Sequence, residues 1–279
     1  MKIMFLGTSS NAGKTLLNAV FCRYLSRKGI DTVPFKGSNL SLNSVATRNG
    51  EEIGIGQAFQ ALACSKEPTG DMNPVLLKPS GKGVIQVITN GRPYANISPG
   101  CDPDTDALVK IACGSFDRLY EDHEAVICEG SGSPVEINLK NRDVANLRMV
   151  RERKIPAILV GDIERGGVFA ALYGTWLLMT PEERKYMRGF IINRFRGEPS
   201  ILKSGIDKIE SLTGMKCLGI VPYLNLRFPE EDSLSSKKGK LVGDDVKKAF
   251  IDNLDEMIDS IKDDLDFAEM ERIASEEIN

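Results

Sequence analysis

Histidine is almost absent from the chain: His123 is the one instance in 279 residues. It stands between Glu121-Asp122 and an apolar run that opens at Ala125, where the pattern predicts a solvated helix-to-strand loop. A Cys–His glutaminase dyad would have to use this residue, and nothing beside it resembles a nucleophile elbow, so glutamine hydrolysis is not expected. The six cysteines (22, 64, 101, 113, 128 and 217) include no C-x-x-C pair and no metal-ligand spacing. They read as reduced, mostly buried thiols, with Cys128 and Cys217 inside strands, and no structural zinc site is expected. No apolar run reaches the length of a membrane span. The first motif begins at residue 7, which leaves no room for a cleavable signal and predicts a cytoplasmic protein. A clustered Lys/Arg stripe of the kind that binds nucleic acid is also missing.

Charge is unevenly spread. Residues 244–279 hold 13 acidic and 4 basic side chains, a net of −9, against −3 for the whole chain, so residues 1–243 stand at +6. A mildly positive body suits small anionic ligands. With 42% hydrophobic and 27% charged residues the composition is that of an ordinary globular protein, long enough for one large core and an appendage.

Around that frame the stretch Gly7-Thr-Ser-Ser-Asn-Ala-Gly-Lys14-Thr15 organises the rest. It follows the apolar run Ile3 to Leu6 and precedes a helix-like run, Leu16 to Leu25. Strand, glycine-bearing loop ending in Gly-Lys-Thr, and helix is the layout of a phosphate-binding P-loop. Successive backbone N–H groups over Ser10, Asn11, Ala12 and Gly13, with the positive end of the helix, cradle phosphate oxygens. Lys14 reaches the outer phosphates, and the Thr15 hydroxyl suits Mg²⁺. The first glycine is one residue further from Gly-Lys-Thr than in the common pattern. In this the loop resembles the dethiobiotin synthetase and cobyrinic acid synthase group rather than Ras-like proteins.

Downstream, apolar strands alternate with helices: Asp31 to Lys36, Ala125 to Glu129, Ile155 to Val160, Gly189 to Arg194 and Cys217 to Val221 as strands, with helices over 53–64, 103–121, 143–153, 168–179 and 200–213. The alternation predicts an α/β fold, a mostly parallel sheet flanked by helices with right-handed crossovers. Pro34 predicts a sheet-edge place for its strand. Val84 to Thr89 closes on Asn90-Gly91, a hairpin signal. Polar or glycine-rich loops follow four strands, and in such a sheet those strand ends converge on one edge, where ligands sit. Gly37 to Ser44 reads on spacing alone as an ordinary loop. Glu129 ends its strand opposite the P-loop, where a Mg²⁺ ligand or a water-orienting group belongs. Asp162 to Gly167 again places polar residues and glycines at a strand end, and Asn193-Arg194 is a polar pair able to read a nucleotide base. From Lys237-Lys-Gly-Lys240, a linker, the character changes. Val246, Phe250, Leu254, Met257/Ile258, Ile261 and Leu265 mark one face of an amphipathic helix with a solvated acidic face opposite, and Asp266-Phe-Ala-Glu269 resembles a capping box. Residues 1–235 thus form a synthetase-sized domain, and 236–279 a linker and acidic helical appendage.

The same loops carry a family resemblance. The P-loop, Phe35-Lys-Gly-Ser-Asn-Leu-Ser-Leu-Asn-Ser44, Asp71-Met-Asn-Pro-Val-Leu-Leu-Lys-Pro79 and Glu129-Gly-Ser-Gly-Ser-Pro-Val-Glu-Ile-Asn-Leu139 are similar to cobyric acid synthases. So are Asp162-Ile-Glu-Arg-Gly-Gly-Val-Phe-Ala170, Asn193-Arg-Phe-Arg-Gly197 and Pro229-Glu-Glu-Asp-Ser233, in the same order. The resemblance implies a P-loop NTPase fold of the dethiobiotin-synthetase kind. It implies ATP- and Mg²⁺-dependent amidation of corrinoid carboxylates through an acyl phosphate, with Lys14, Lys36, Glu129 and Asp162 as the catalytic set. Thr15 and Glu129 would hold Mg²⁺, Lys36 the phosphates or the acyl phosphate, and Asn193 with Arg194 the adenine. Asn39, Asn43, Asn138, Asp162 and Arg165 would face the corrinoid.

Family members usually continue into a glutamine amidotransferase domain, and none is recognised in these residues. Since 247–273 resembles the family's extreme C-terminal helix, the chain reads as a synthetase whose ammonia comes from solution or from a separate glutamine amidotransferase subunit. A homo-oligomer is compatible with the pattern; nucleic acid and membrane are not expected partners. Gly37-Ser38 departs from the family, which more often has a bulkier residue followed by Gln, and leaves a related tetrapyrrole as an alternative substrate. A MinD/ParA-like switch is the alternative from another class, but such proteins usually carry a further lysine early in the loop, where Thr8, Ser9 and Ser10 stand.

Overall fold

The computed structural model describes residues 1–224 and 246–278, without the Val246 side chain. The Pro229–Ser233 motif, the 237–240 linker and the 235/236 division lie outside the described residues.

In chain order the elements are β1 (Lys2–Gly7), α1 (Lys14–Arg27), β2 (Thr32–Phe35), β3 (Ser38–Leu40), β4 (Ser44–Ala46), β5 (Glu52–Gly54), α2 (Ile55–Ala63), β6 (Val75–Pro79), β7 (Ile85–Thr89) and β8 (Arg92–Ile97). Then come α3 (Thr105–Asp122), β9 (Ala125–Glu129), α4 (Leu147–Glu152), β10 (Ala157–Asp162), α5 (Val168–Leu178), α6 (Pro181–Arg184), β11 (Met187–Phe195), α7 (Lys203–Thr213), β12 (Lys216–Pro222), α8 (Val246–Ile261) and α9 (Phe267–Ala274).

Six strands make the main sheet in the order β12-β11-β10-β1-β9-β2, all parallel. Because both faces are covered, β1, β9 and β10 are apolar nearly throughout rather than alternating. The two-residue strand period sends Met4 and Leu6 to one core with α3, α4 and α5, and Ile3 and Phe5 to a second core with α1, α8 and α9. β2 is an edge strand, so Pro34 withholds no N–H that a neighbour needs.

The expected loop at 37–44 is in part extended. β3 pairs in parallel with β6 in a second sheet of order β3-β6-β7-β8, and β4 pairs with β5. Ser and Asn have low strand propensity, and the ladder partner supplied by β6 is what draws them into a strand. The Asn90-Gly91 turn joins β7 to β8, with φ of 45° and 75° at its two residues, the sign a tight hairpin requires. The helix expected over 143–153 is shorter at its start, because the Asp143 carboxylate accepts from the N–H groups of Ala145, Asn146 and Arg148 and holds that turn outside the helix.

His123 is not solvated. Its Nδ1 lies 2.9 Å from Asp31 Oδ2 and its side chain is mostly covered, at the amino-terminal edge of the sheet. The six thiols are free, and Cys22, Cys64, Cys113 and Cys128 are buried.

The acidic face of the appendage is exposed at Asp252, Glu256 and Asp259, as expected, but part of it also engages the body of the chain. Asp255 takes a two-pronged bond from Arg23, Nε and Nη2 each at 2.8 Å, and Arg27 pairs with Asp259 at 3.0 Å. Lys28 pairs with Glu271, and Arg188 with Glu276. The negative tail is therefore held on basic residues of the positive body. Beneath the ion pairs Phe250 meets Phe59 edge-on at 5.1 Å, and Phe267 stacks on Tyr24 at 4.4 Å. Asp266 N donates to Leu218 O and Ile220 N to Asp264 O, so the turn between α8 and α9 pairs with the open edge of β12. At the start of α9 the Asp266 carboxylate accepts from Glu269 N–H, while the Glu269 side chain turns to Arg272.

Burial, more than charge, holds the appendage. Phe250→Ala is expected to cost about 3–5 kcal/mol, whereas Arg23→Ala, which breaks a partly exposed pair, costs about 1 kcal/mol. Urea denaturation of the two variants measures both, and an Arg23 loss equal to the Phe250 loss would reverse the ranking.

Candidate active site

Every candidate site residue is borne on the carboxyl-terminal edge of the main sheet or in the loops that leave it. The P-loop springs from β1 at its centre. Asn11 at φ 59° and Gly13 at φ 102° put two left-handed residues in the loop, a conformation that turns successive N–H groups towards one concavity. Gly13 is also required by space, since a Cβ there would lie 1.9 Å from Asn193 Nδ2. Gly7 lets the Lys14 stem pass: a Cβ would lie 2.8 Å from Nζ. No side chain caps the start of α1 and no acidic residue sits in its first turn, so its unpaired amides and positive dipole end are left to the loop. Lys14 is buried, with Nζ donating to Ser9 O at 3.0 Å and Gly132 O at 2.9 Å.

Glu129 is the centre of the polar interior. It is 1% exposed. Its Oε1 accepts from the Thr15 hydroxyl at 2.8 Å and from Lys36 Nζ at 3.1 Å, and its Oε2 from Gln60 Nε2 at 2.7 Å. Burial alone would push this carboxyl up; the Lys36 ammonium, the Gln60 amide, Lys14 and Thr15 outweigh it and hold the group below its ordinary 4.5. Glu129 is thus an anion at neutral pH. Asn73, also buried, fixes the approach of Lys36 by donating to its carbonyl and to that of Val75 while accepting from Gly54 N.

Asn193 is buried, and its amide donates to Ala12 O at 2.9 Å, tying the end of β11 to the P-loop. Arg194, at φ 63°, pairs with Asp162 at 2.8 Å, and the other Asp162 oxygen accepts from Glu164 N. Asn43, Asn138 and Arg165 are exposed on their loops. Asn39 departs from the expectation of a corrinoid-facing residue: β3 turns it inward, where its amide donates to Gln57 Oε1 at 3.2 Å and it is 3% exposed. The loops after β2 and β9, strands that are neighbours in the sheet, leave Leu40, Leu42, Ile137 and Leu139 between 44% and 68% exposed.

Residues 3–233 match the CobQ/CobB/MinD/ParA nucleotide binding domain model. The chain belongs to that family. It is 48% identical over 236 residues to a probable cobyric acid synthase of Methanosphaerula palustris and 50% identical over 234 residues to one of Methanosarcina acetivorans, in each case over 84% of this chain and 48% of the relative. A probable cobyric acid synthase of Methanoculleus marisnigri is 45% identical over 254 residues, 90% of this chain and 52% of the relative. The chain therefore spans about half the length of the curated relatives it matches. Among solved structures it is similar to the MinC:MinD cell division protein complex of Aquifex aeolicus, with 13% identity, a TM-score of 0.49, and coverage of 100% of this chain and 97% of that one. The nucleotide-binding fold rests on the family match together with the parallel sheet and its P-loop.

Sequence reasoning did not assign Gln60. It sits on α2 one turn after Gln57, and the available signal was a pair of amides three residues apart on an otherwise apolar helix. Asn146 was also unassigned; its amide brackets Ser131, accepting from its N–H and donating to its carbonyl, and so shapes the loop after Glu129.

The charge balance at Glu129 has a testable sign. Lys36→Met removes the largest compensating charge, so the buried carboxyl rises above its unfolded value. The variant is expected to lose about 3–5 kcal/mol at pH 7, with the deficit shrinking as pH falls to 5 and the carboxyl takes up a proton. In the wild type the same carboxyl is depressed, so its contribution holds above the unfolded value and is lost only as pH falls through the folded one. Urea titrations at the two pH values measure this, and a deficit independent of pH would contradict it.

Proposed function

We propose that this chain is the synthetase part of a cobyric acid synthase, an ATP-dependent ligase that amidates peripheral carboxylates of a corrinoid. The observation that carries the reading is the convergence of Thr15, Lys36 and Gln60 on Glu129, beside Lys14 and the P-loop. The names of the half-matching relatives support the substrate class.

In this reading the P-loop amides and Lys14 hold the β- and γ-phosphates of ATP. A substrate carboxylate oxygen attacks the γ-phosphorus and the bond to the β-phosphate oxygen breaks, giving an acyl phosphate and ADP. The nitrogen of ammonia then adds to the acyl carbon, the carbon–oxygen bond to phosphate breaks, and amide and inorganic phosphate leave. The proton shed by the nitrogen departs with the phosphate. Lys36 is close enough to Glu129 to follow the negative charge on the transferred group, and most of the rate comes from positioning.

The donors at Thr15 and Glu129 are all oxygens, a set that suits a hard dication such as Mg²⁺. Bound there, it would neutralise charge on the phosphates. Asn193 and Arg194 serve the adenine. Asp162, Asn43, Asn138 and Arg165 lie on the loops that receive the corrinoid, and the exposed Leu40, Leu42, Ile137 and Leu139 offer it an apolar rim. His123 lies at the opposite edge of the sheet, away from this site, and in this reading the ammonia comes from solution or from a separate glutaminase. No helix of the described residues is long and apolar enough to cross a membrane, and a cytoplasmic biosynthetic role accords with the reading.

The test is mass spectrometry of adenosylcobyrinic acid a,c-diamide incubated with the chain, Mg-ATP and ammonium. One countable mass step per amide is expected, with Lys14→Ala slowing the reaction by at least ~100-fold. An unshifted corrinoid would sink the assignment for that substrate, and ATP-driven dimerisation without turnover would favour a switch of the MinD/ParA kind.

A further inference from the structure

Gln60 is 1% exposed, in the interior of α2 among Ala58, Phe59, Ala61 and Leu62. Its Nε2 lies 2.7 Å from Glu129 Oε2 and 3.3 Å from Thr15 O. Both partners are acceptors, so chemistry alone fixes the orientation of the amide: the nitrogen faces them and the oxygen points the other way. That oxygen, Oε1, is buried and has no hydrogen-bond partner among the described residues. An unsatisfied buried acceptor is destabilising, and a methionine or leucine at this place in an apolar helix would avoid that loss. The amide is therefore poorly explained by packing.

Its surroundings supply an explanation. The nitrogen grips the one carboxylate, and the carbonyl of the one threonine, that the preceding section gives to a magnesium ion. Residues one step removed from a metal commonly fix the orientation of its ligand.

We propose that Gln60 is a positioning residue of the Mg-nucleotide site. Nε2 locks Glu129 Oε2, leaving Oε1 of that carboxylate to the metal and Thr15. The inference rests on the reading of this site as a Mg-ATP site. Gln57 is the built-in contrast: it is equally buried on the same helix with its Nε2 unpartnered, but its oxygen is taken by Asn39, and it touches neither Thr15 nor Glu129 in the contacts seen.

The experiment measures binding of a fluorescent ATP analogue by anisotropy, in Mg²⁺ and again in EDTA, for the wild type, Gln60→Met and Gln57→Met, with melting temperatures alongside. The strengthening of binding by Mg²⁺ is expected to fall at least tenfold in Gln60→Met. Affinity in EDTA, set by Lys14 and the loop, stays within twofold, and Gln57→Met keeps the full Mg²⁺ effect. Should Gln60→Met fail to fold, Gln60→Asn, which keeps the amide but shortens its reach, is expected to show the same loss. An undiminished Mg²⁺ effect in the folded Gln60 variant overturns the assignment while leaving the Mg-ATP site intact. A wild type that binds the analogue equally with and without Mg²⁺ overturns the site reading itself, and the inference with it.

Discussion

A carboxylate buried in a protein interior is tolerated only when donors surround it, and Glu129 imposes that condition on this fold. Its donors come from three separate places: Thr15 at the start of α1, Lys36 just after β2, and Gln60 on α2. None of these is near another in sequence, and β9 itself lies between β1 and β2. The anion can remain ionised only if the P-loop helix, the edge strand and α2 are all in place. A second set of bonds extends the same constraint outward, through Asn73 to the backbone of Lys36 and through Lys14 to the carbonyl of Gly132. The polar interior is thus assembled cooperatively around one charge.

Much of this was legible in the sequence because it is local or periodic. Continuous apolar runs such as Ala125 to Cys128 announce strands buried on both faces, and Gly-Lys-Thr after such a run announces the loop. Glu129 itself could be singled out because it closes an apolar strand opposite a P-loop, where a Mg²⁺ ligand belongs. Pro34 gave its strand an edge position for a purely stereochemical cause. What escaped depends on partners distant in the chain. The Ser38–Leu40 strand has no strand propensity of its own and is made by β6. His123 looked solvated because Asp31, its partner, precedes a different strand. Resemblance alone points Asn39 to the corrinoid side, and the parallel pairing of β3 with β6 turns it to Gln57. Nothing in the pattern of a helix reveals that Asp255 and Asp259 on the acidic face of α8 meet arginines on α1.

The outer part of the site contrasts with its interior. Around the buried ions the loops after β2 and β9 present leucine and isoleucine to solvent, while exposed polar residues, Asn43, Asn138 and Arg165, stand on loops at the same edge. In the proposed reading the phosphoryl group is handled over this charged, enclosed floor while the corrinoid stays mostly outside it. The residues of that floor all lie in the matched span 3–233.

The central claim is that the substrate carboxylate itself takes the γ-phosphate before nitrogen arrives. It is tested most directly by following oxygen. With the corrinoid carboxylates labelled in ¹⁸O and the chain supplied with Mg-ATP and ammonium, each amide formed is expected to release one inorganic phosphate carrying one ¹⁸O atom. Amide formation with unlabelled phosphate would contradict the account.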